Sequence, residues 1–273
     1  MTGRSGRARP DSGQGAQDQP PAFYLPLGDG TLAATVNTQG PWSGDAAHGG
    51  PPAALLARAL EALQPRPGWH VARVTVEILG PVPVEGAVGT RAEVSRPGRS
   101  VEMLEAQLVA GSRVAARARA WRIRGSAEPV PARGALEPPP RPRTEDTIDW
   151  PGGYLRALEW RFSDGSLSRP GPATVWTRTR VPLVHGEPIS PLQRVMLVAD
   201  VGNGISGELD LARYWFINPE LTVHLHRLPD TEWVCVRART SIDASGVGLA
   251  ESVLYDERAS IGRGAQSLMV GPR

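Results

Sequence analysis

Apolar and polar side chains alternate in Ala116-Arg117-Ala118-Arg119-Ala120-Trp121-Arg122-Ile123, the period of a strand that buries one face. Strand-like runs cover 71–79, 89–95 and 101–123, the last folding back at Ala110-Gly111-Ser112. Short apolar runs at 22–27 and 31–36 flank Gly28-Asp29-Gly30, a hairpin signal. Between hairpin and strands the pattern changes. Pro51 and Pro52 suit a helix's first turn, where a missing N–H is no loss. The Ala/Leu-rich run behind them predicts a helix to about Leu63, stopped by Pro65 and Pro67.

The pattern then restarts. Tyr154–Phe162 and Thr174–Val181 predict a second hairpin, with Ser163-Asp164-Gly165 at its turn. Pro191–Val201 predicts a helix, ended by Gly202-Asn203-Gly204, and strands follow over 221–226, 233–240, 248–255 and 262–270. A repeat of roughly 130 residues exceeds the ~20–50 of solenoid units, so the chain reads as two copies of one small domain. One helix per half cannot cover both faces of a sheet. Each sheet is therefore expected to wrap its own helix, the two sheets joining edge to edge. The expected organisation is a disordered Gly/Gln/Asp/Pro tail over 1–20, a first domain over 21–124, a proline-rich linker over 125–149 and a second domain over 150–273.

Composition excludes more than it assigns. All 30 Lys+Arg positions are Arg, yet net charge is only +2 and acids alternate with the arginines, so no nucleic-acid footprint is expected. No run approaches the ~20 apolar residues of a membrane span, and no signal-type apolar stretch follows the basic start, so a cytoplasmic location is expected. Cys235 is the one cysteine, read as a small buried hydrophobe. His224 and His226 share one face of a strand without a visible third ligand, so neither metal nor other cofactor is expected.

Several polar groups stand out against these patterns. Asp200 ends the apolar run Val195-Met196-Leu197-Val198-Ala199, near a helix C-terminus where an acid opposes the macrodipole by roughly 0.3–1 kcal/mol. It is either an exposed capping acid or a buried group with a function. His48-Gly49-Gly50 feeds a helix N-terminus, where backbone N–H groups can hold an oxyanion or a phosphate; the alternative is that the glycines only permit the turn. Gln266 lies on a strand, and aligning the repeats places Arg119 at its position in the first half. No acid of the first helix, which offers Arg58 and Glu61, matches Asp200. Machinery confined to one copy is the expectation.

The order of elements, with Trp42, Gly44 and His48-Gly49-Gly50 opening the first helix, resembles the hot-dog superfamily. Met196-Leu197-Val198-Ala199-Asp200, Phe216 to Arg227, Glu232-Trp233-Val234 and Gly262 to Ser267 narrow the resemblance to the TesB-type double hot-dog acyl-CoA thioesterases, in their actinobacterial thioesterase-like branch. The resemblance spans about residues 22–271. It implies an α+β double hot-dog fold, each antiparallel sheet wrapped around one helix, and hydrolysis of acyl-CoA or an acyl-carrier-protein thioester by activated water. It also implies three water-binding side chains: an Asp falling on Asp200, a Gln on Gln266, and a hydroxyl whose place is taken by Asn218. Asn lacks a rotating hydroxyl's capacity to donate and accept through one atom, and Thr222 is a possible substitute. A non-hydrolytic acyl-thioester binding protein and a hot-dog hydratase or dehydratase are the alternatives, the latter usually carrying an Asp/His pair, whereas no His accompanies Asp200 in the sequence. An assembly of identical chains stays open.

Overall fold

The computed structural model describes residues 19–273; residues 1–18 of the expected tail lie outside the described residues. The first half contains β1 (Tyr24–Pro26), β2 (Leu32–Ala34), α1 (Gly50–Glu61), β3 (Trp69–Ile78), β4 (Ala87–Arg96), β5 (Val101–Ala110) and β6 (Arg113–Arg124). The second contains α2 (Gly153–Arg156), β7 (Leu158–Ser166), β8 (Arg169–Thr179), α3 (Pro191–Ala199), α4 (Gly202–Ile205), β9 (Tyr214–Ile217), β10 (Glu220–Leu225), β11 (Val234–Ile242), β12 (Val247–Tyr255) and β13 (Ser260–Pro272). These strands form one sheet in the order β1-β2-β4-β5-β6-β3-β10-β13-β12-β11-β8-β7, with β9 beside β13. The halves join at the antiparallel pair β3 and β10, as the edge-to-edge expectation required. Thr75 faces Thr222 there, their hydroxyl oxygens 3.1 Å apart, marking a local two-fold axis.

Period two sets which side chains reach the core. On β5 Leu104, Ala106 and Leu108 point inward, and on β6 Ala116, Ala118 and Ala120 do the same. α1 packs on β4, β5 and β6, α3 on β8, β10 and β11, and the helices pack on each other. They run antiparallel: Glu61 at the end of α1 meets Ser190 at the start of α3, and Gly49 before α1 meets Asp200 after α3. α3 opens on a capping box in which the Ser190 hydroxyl accepts the Gln193 N–H at 3.1 Å and the Gln193 side chain accepts the Ser190 N–H. A cap of this kind is worth about 1 kcal/mol.

Four local expectations are corrected. Residues 153–156 form a helical turn instead of the start of a strand, closed by the Ala157 N–H on the Gly153 carbonyl at 2.9 Å, and Gly153 presses against Val36, whose carbonyl oxygen would lie 1.7 Å from a Cβ. The β7–β8 turn falls at Leu167-Ser168; the turn-like residues 163–165 are absorbed as bulges inside β7. Gly202-Asn203-Gly204 does not end the helical stretch but belongs to α4. β9, which pairs with β13, is a strand that the hydrophobic pattern does not predict. The proline-rich segment docks on the second half, Leu136 exchanging hydrogen bonds with Ser260 and Arg141 lying over the Trp233 ring.

Candidate active site

Asp200 is the C-cap of α3 and is 4 % exposed. Its Oδ1 accepts two amide donors, Asn218 Nδ2 at 2.9 Å and Gln266 Nε2 at 3.1 Å. Its Oδ2 lies 3.2 Å from His48 Nδ1. Burial lifts the carboxyl from the ordinary carboxylate range to about 7, opposed by the Asn218, Gly49 and Gln266 donors. Desolvation outweighs three hydrogen bonds here.

The same burial pushes His48 down to about 3, so its imidazole is neutral. Nδ1 accepts the Gly50 N–H at 3.1 Å, which assigns the ring proton to Nε2 and sets Nδ1 and Asp200 Oδ2 acceptor to acceptor whenever the carboxyl is ionised. The ring lies flat on Tyr154, with 3.8 Å between centroids and 5° between planes. Tyr154 is itself anchored by its hydroxyl, which donates to the Leu197 carbonyl at 2.8 Å. His48 comes from the first half, and Asp200 and Tyr154 from the second. Asp200 therefore does have a histidine beside it, contrary to the sequence reading.

Gly49 and Gly50 are glycine because the two helix ends nearly touch. A Cβ at 49 would lie 2.6 Å from Asp200 Oδ2, and one at 50 would lie 2.2 Å from the Leu197 carbonyl oxygen. Both N–H groups are engaged inside the protein, Gly50 with His48 and Gly49 with Asp200. The polar side chain this loop contributes to the cavity lining is His48.

Gln266 points inward from β13 and is 1 % exposed; its Oε1 accepts the Asn203 backbone N–H at 3.0 Å. Asn218, just ahead of β10, completes the cluster. Thr222 does not join it. Its flanking residues Leu221 and Val223 face the core, so Thr222 lies on the opposite face and bonds Thr75 and Glu220. The two-fold axis also corrects the repeat alignment: Ala265, opposite Thr222, corresponds to Arg119, opposite Thr75, so the counterpart of Gln266 is Ala120. In space the counterpart of Asp200 is Glu61, which accepts the Ser190 hydroxyl at 2.7 Å and Gln193 Nε2 at 3.0 Å. With alanine at 120, no amide from β6 supports that carboxylate, so the Asp200 cluster is not repeated.

Asp200, His48, Gly49, Asn203 and Asn218 open onto a cavity of about 180 Å³, whose apolar walls include Trp42, Pro52, Val76, Val82 and Phe216. Asn203 and Tyr154 escape a reading of the sequence alone: one sits in an apparent helix stop, the other in an apparent strand. His224 and His226 are exposed, and among the described residues no group of three or more His, Cys, Asp or Glu is placed to hold a metal.

One antiparallel sheet carrying two central helices is the double hot-dog architecture. Solved structures share it at low identity. A hot-dog protein from Alicyclobacillus acidocaldarius has a TM-score of 0.72 at 15% identity, over 92% of this chain and 97% of that one. The TesB protein of Mycobacterium avium subs. paratuberculosis gives 0.67 at 15%, over 91% and 96%. The acyl-CoA thioesterase II TesB2 of Mycobacterium marinum gives 0.65 at 15%, over 92% and 95%. Residues 38–123 match the acyl-CoA thioesterase N-terminal domain and residues 131–270 the acyl-CoA thioesterase C-terminal domain. The chain belongs to the acyl-CoA thioesterase family and is an acyl-CoA thioesterase-like hydrolase. No curated protein matches it significantly. Among the described residues no helix is long and apolar enough to cross a membrane.

Proposed function

We propose that the protein hydrolyses an acyl-CoA, or a related acyl thioester, by attack of a water molecule that Asp200 deprotonates. The observation that carries this reading is a buried carboxylate on the cavity wall held by fixed donors. Asn218 and Gln266 both donate to Oδ1, the Gly49 N–H also reaches the carboxylate, and Oδ2 lies beside His48. A carboxyl near 7 suits a general base working at neutral pH.

Oδ2 takes one proton from water as the water oxygen bonds to the thioester carbonyl carbon. Charge builds on the carbonyl oxygen, and His48 Nε2–H is the donor assigned to it. Collapse of the tetrahedral adduct breaks the C–S bond, and the departing thiolate recovers the proton from Asp200. Acid and thiol result, with no covalent intermediate. The cavity is smaller than the ~300–1,000 Å³ of sites that enclose a whole drug-sized ligand. It accommodates the acyl end and the thioester, with the carrier portion outside. An acyl-carrier-protein thioester presents the same reacting group.

A second reading, hydration of an enoyl thioester, is favoured by the Asp200–His48 pair. Both are tested together: thiol release from a panel of acyl-CoA and carrier-protein thioesters, and hydration of crotonyl-CoA. Thiol release that Asp200→Asn abolishes supports the hydrolase. Hydration without thiol release overturns it, and binding without either reaction assigns a non-hydrolytic binder.

A further inference from the structure

We propose that Asn203 is a positioning residue that fixes the sense of the Asn218 amide, so that Asn218 presents its NH2 group and not its carbonyl to Asp200. The inference rests on the reading of Asp200 as the water-activating base. The chain of contacts is directional. Asn203 Nδ2 donates to Asn218 Oδ1 at 3.4 Å, and Asn218 Nδ2 donates to Asp200 Oδ1 at 2.9 Å. The Asn203 backbone N–H separately holds Gln266 Oε1, while Gln266 Nε2 donates to Asp200. One residue thus orients both amides that grip the carboxylate, one through its side chain and one through its main chain.

The need for such a residue follows from the chemistry of an amide. Its two ends have nearly the same shape and opposite hydrogen-bonding sense. Rotated by half a turn, Asn218 would bring a carbonyl oxygen against Asp200 Oδ1, acceptor against acceptor, and disfavour the carboxylate. A hydroxyl would adapt by rotating its proton, whereas an amide must be held. Asn203, whose main chain is fixed by its contact with Gln266, meets the Asn218 carbonyl with the donor end of its own amide. The Glu220 carbonyl, 3.4 Å from Asn218 Nδ2, favours the same sense from the other side. Side-chain substitution at 203 leaves the backbone N–H in place, so it isolates the Asn218 arm from the Gln266 arm.

The titratable groups facing Asp200 are His48, from the loop before α1, and Tyr154, from α2. Neither is altered by changing residue 203. The experiment follows the Asp200 carboxyl by carbon-13 NMR of aspartate-labelled protein, its resonance assigned by its loss in Asp200→Asn, with thiol release measured alongside. Asn203→Ala is expected to raise the Asp200 midpoint by about half to one pH unit, through loss of a fixed donor to the charged form. It should lower kcat roughly 5–20-fold with KM within about twofold, the rate's alkaline rise moving with the midpoint. In an Asn218→Ser background, whose hydroxyl orients itself, Asn203→Ala should add no further shift. An unchanged midpoint in Asn203→Ala, or an equal shift in both backgrounds, overturns the proposal. Because the midpoint is read without turnover, a shift in a protein that releases no thiol would fault the hydrolase reading and leave the positioning role standing. Circular dichroism of each variant confirms that the fold is retained.

Discussion

Gly49 stands so close to Asp200 that a Cβ would lie 2.6 Å from its carboxylate oxygen Oδ2. The obstacle there is the end of a side chain, which can turn aside. At Gly50 the obstacle is the Leu197 backbone carbonyl, whose oxygen would lie 2.2 Å from a Cβ and cannot turn aside. Gly49→Ala is therefore expected to keep its fold while losing about 10²-fold in kcat, since a displacement near 1 Å costs about that much. Gly50→Ala should lose roughly 1–3 kcal/mol of stability through overpacking. Thermal melts and steady-state rates of the pair separate the two effects, and equal melting points would contradict the contrast.

Asp200→Asn should lower kcat by at least ~10²-fold with little change in acyl-CoA affinity, the size expected for a positioned general base. Wild-type turnover in this variant would rule Asp200 out.

Gln266→Ala removes one donor to the carboxylate and strands the Asn203 N–H. We expect about a 10-fold lower kcat and a stability cost of ~1–3 kcal/mol for the unsatisfied buried group. Thr222→Val and Arg119→Ala change the outer face of the shared sheet and should leave kcat within about twofold, with surface-scale stability effects. A loss at either position equal to that of Gln266→Ala would contradict the single-site geometry.

Burial makes two pH dependences out of one carboxyl. As a base Asp200 works ionised, so kcat/KM should rise with pH to half its plateau near pH 7. Stability should move the other way. The folded carboxyl binds its proton more tightly than the unfolded one, so its contribution is largest below about pH 4 and falls, by on the order of 2–4 kcal/mol, until about pH 7. Asp200→Asn should flatten that part of a plot of unfolding free energy against pH. An unchanged slope would mean that another group is responsible.

The shared sheet predicts how fragments behave. Residues 131–273 alone would expose the β10 edge and the α3 surface that packs on α1, and should aggregate or swap. Co-expressed with residues 1–130, they should form a soluble, active pair, because His48 and Asp200 come from different halves. A monomeric, fully active 131–273 fragment would refute this arrangement.

Periodicity and punctuation in the sequence determined both helices, the duplicated strand pattern and the edge-to-edge joining, because each follows from residues near one another in the chain. Asp200 and Gln266 were also legible, an acid closing an apolar helix and an amide in a strand, with the family resemblance giving them roles. Tertiary structure decided what lies opposite what. A strand reverses its facing side with every residue, so a one-residue misalignment placed Arg119 where Ala120 belongs, and Thr222 lies on the face opposite the core that Leu221 and Val223 enter. The meeting of His48 with Asp200 depends on two helices from separate halves packing antiparallel at a crossing close enough to demand glycine. Asn203 and Tyr154 gain their roles only from contacts made across the fold, to Asn218 and Gln266 for the one and to His48 for the other, which no local pattern records.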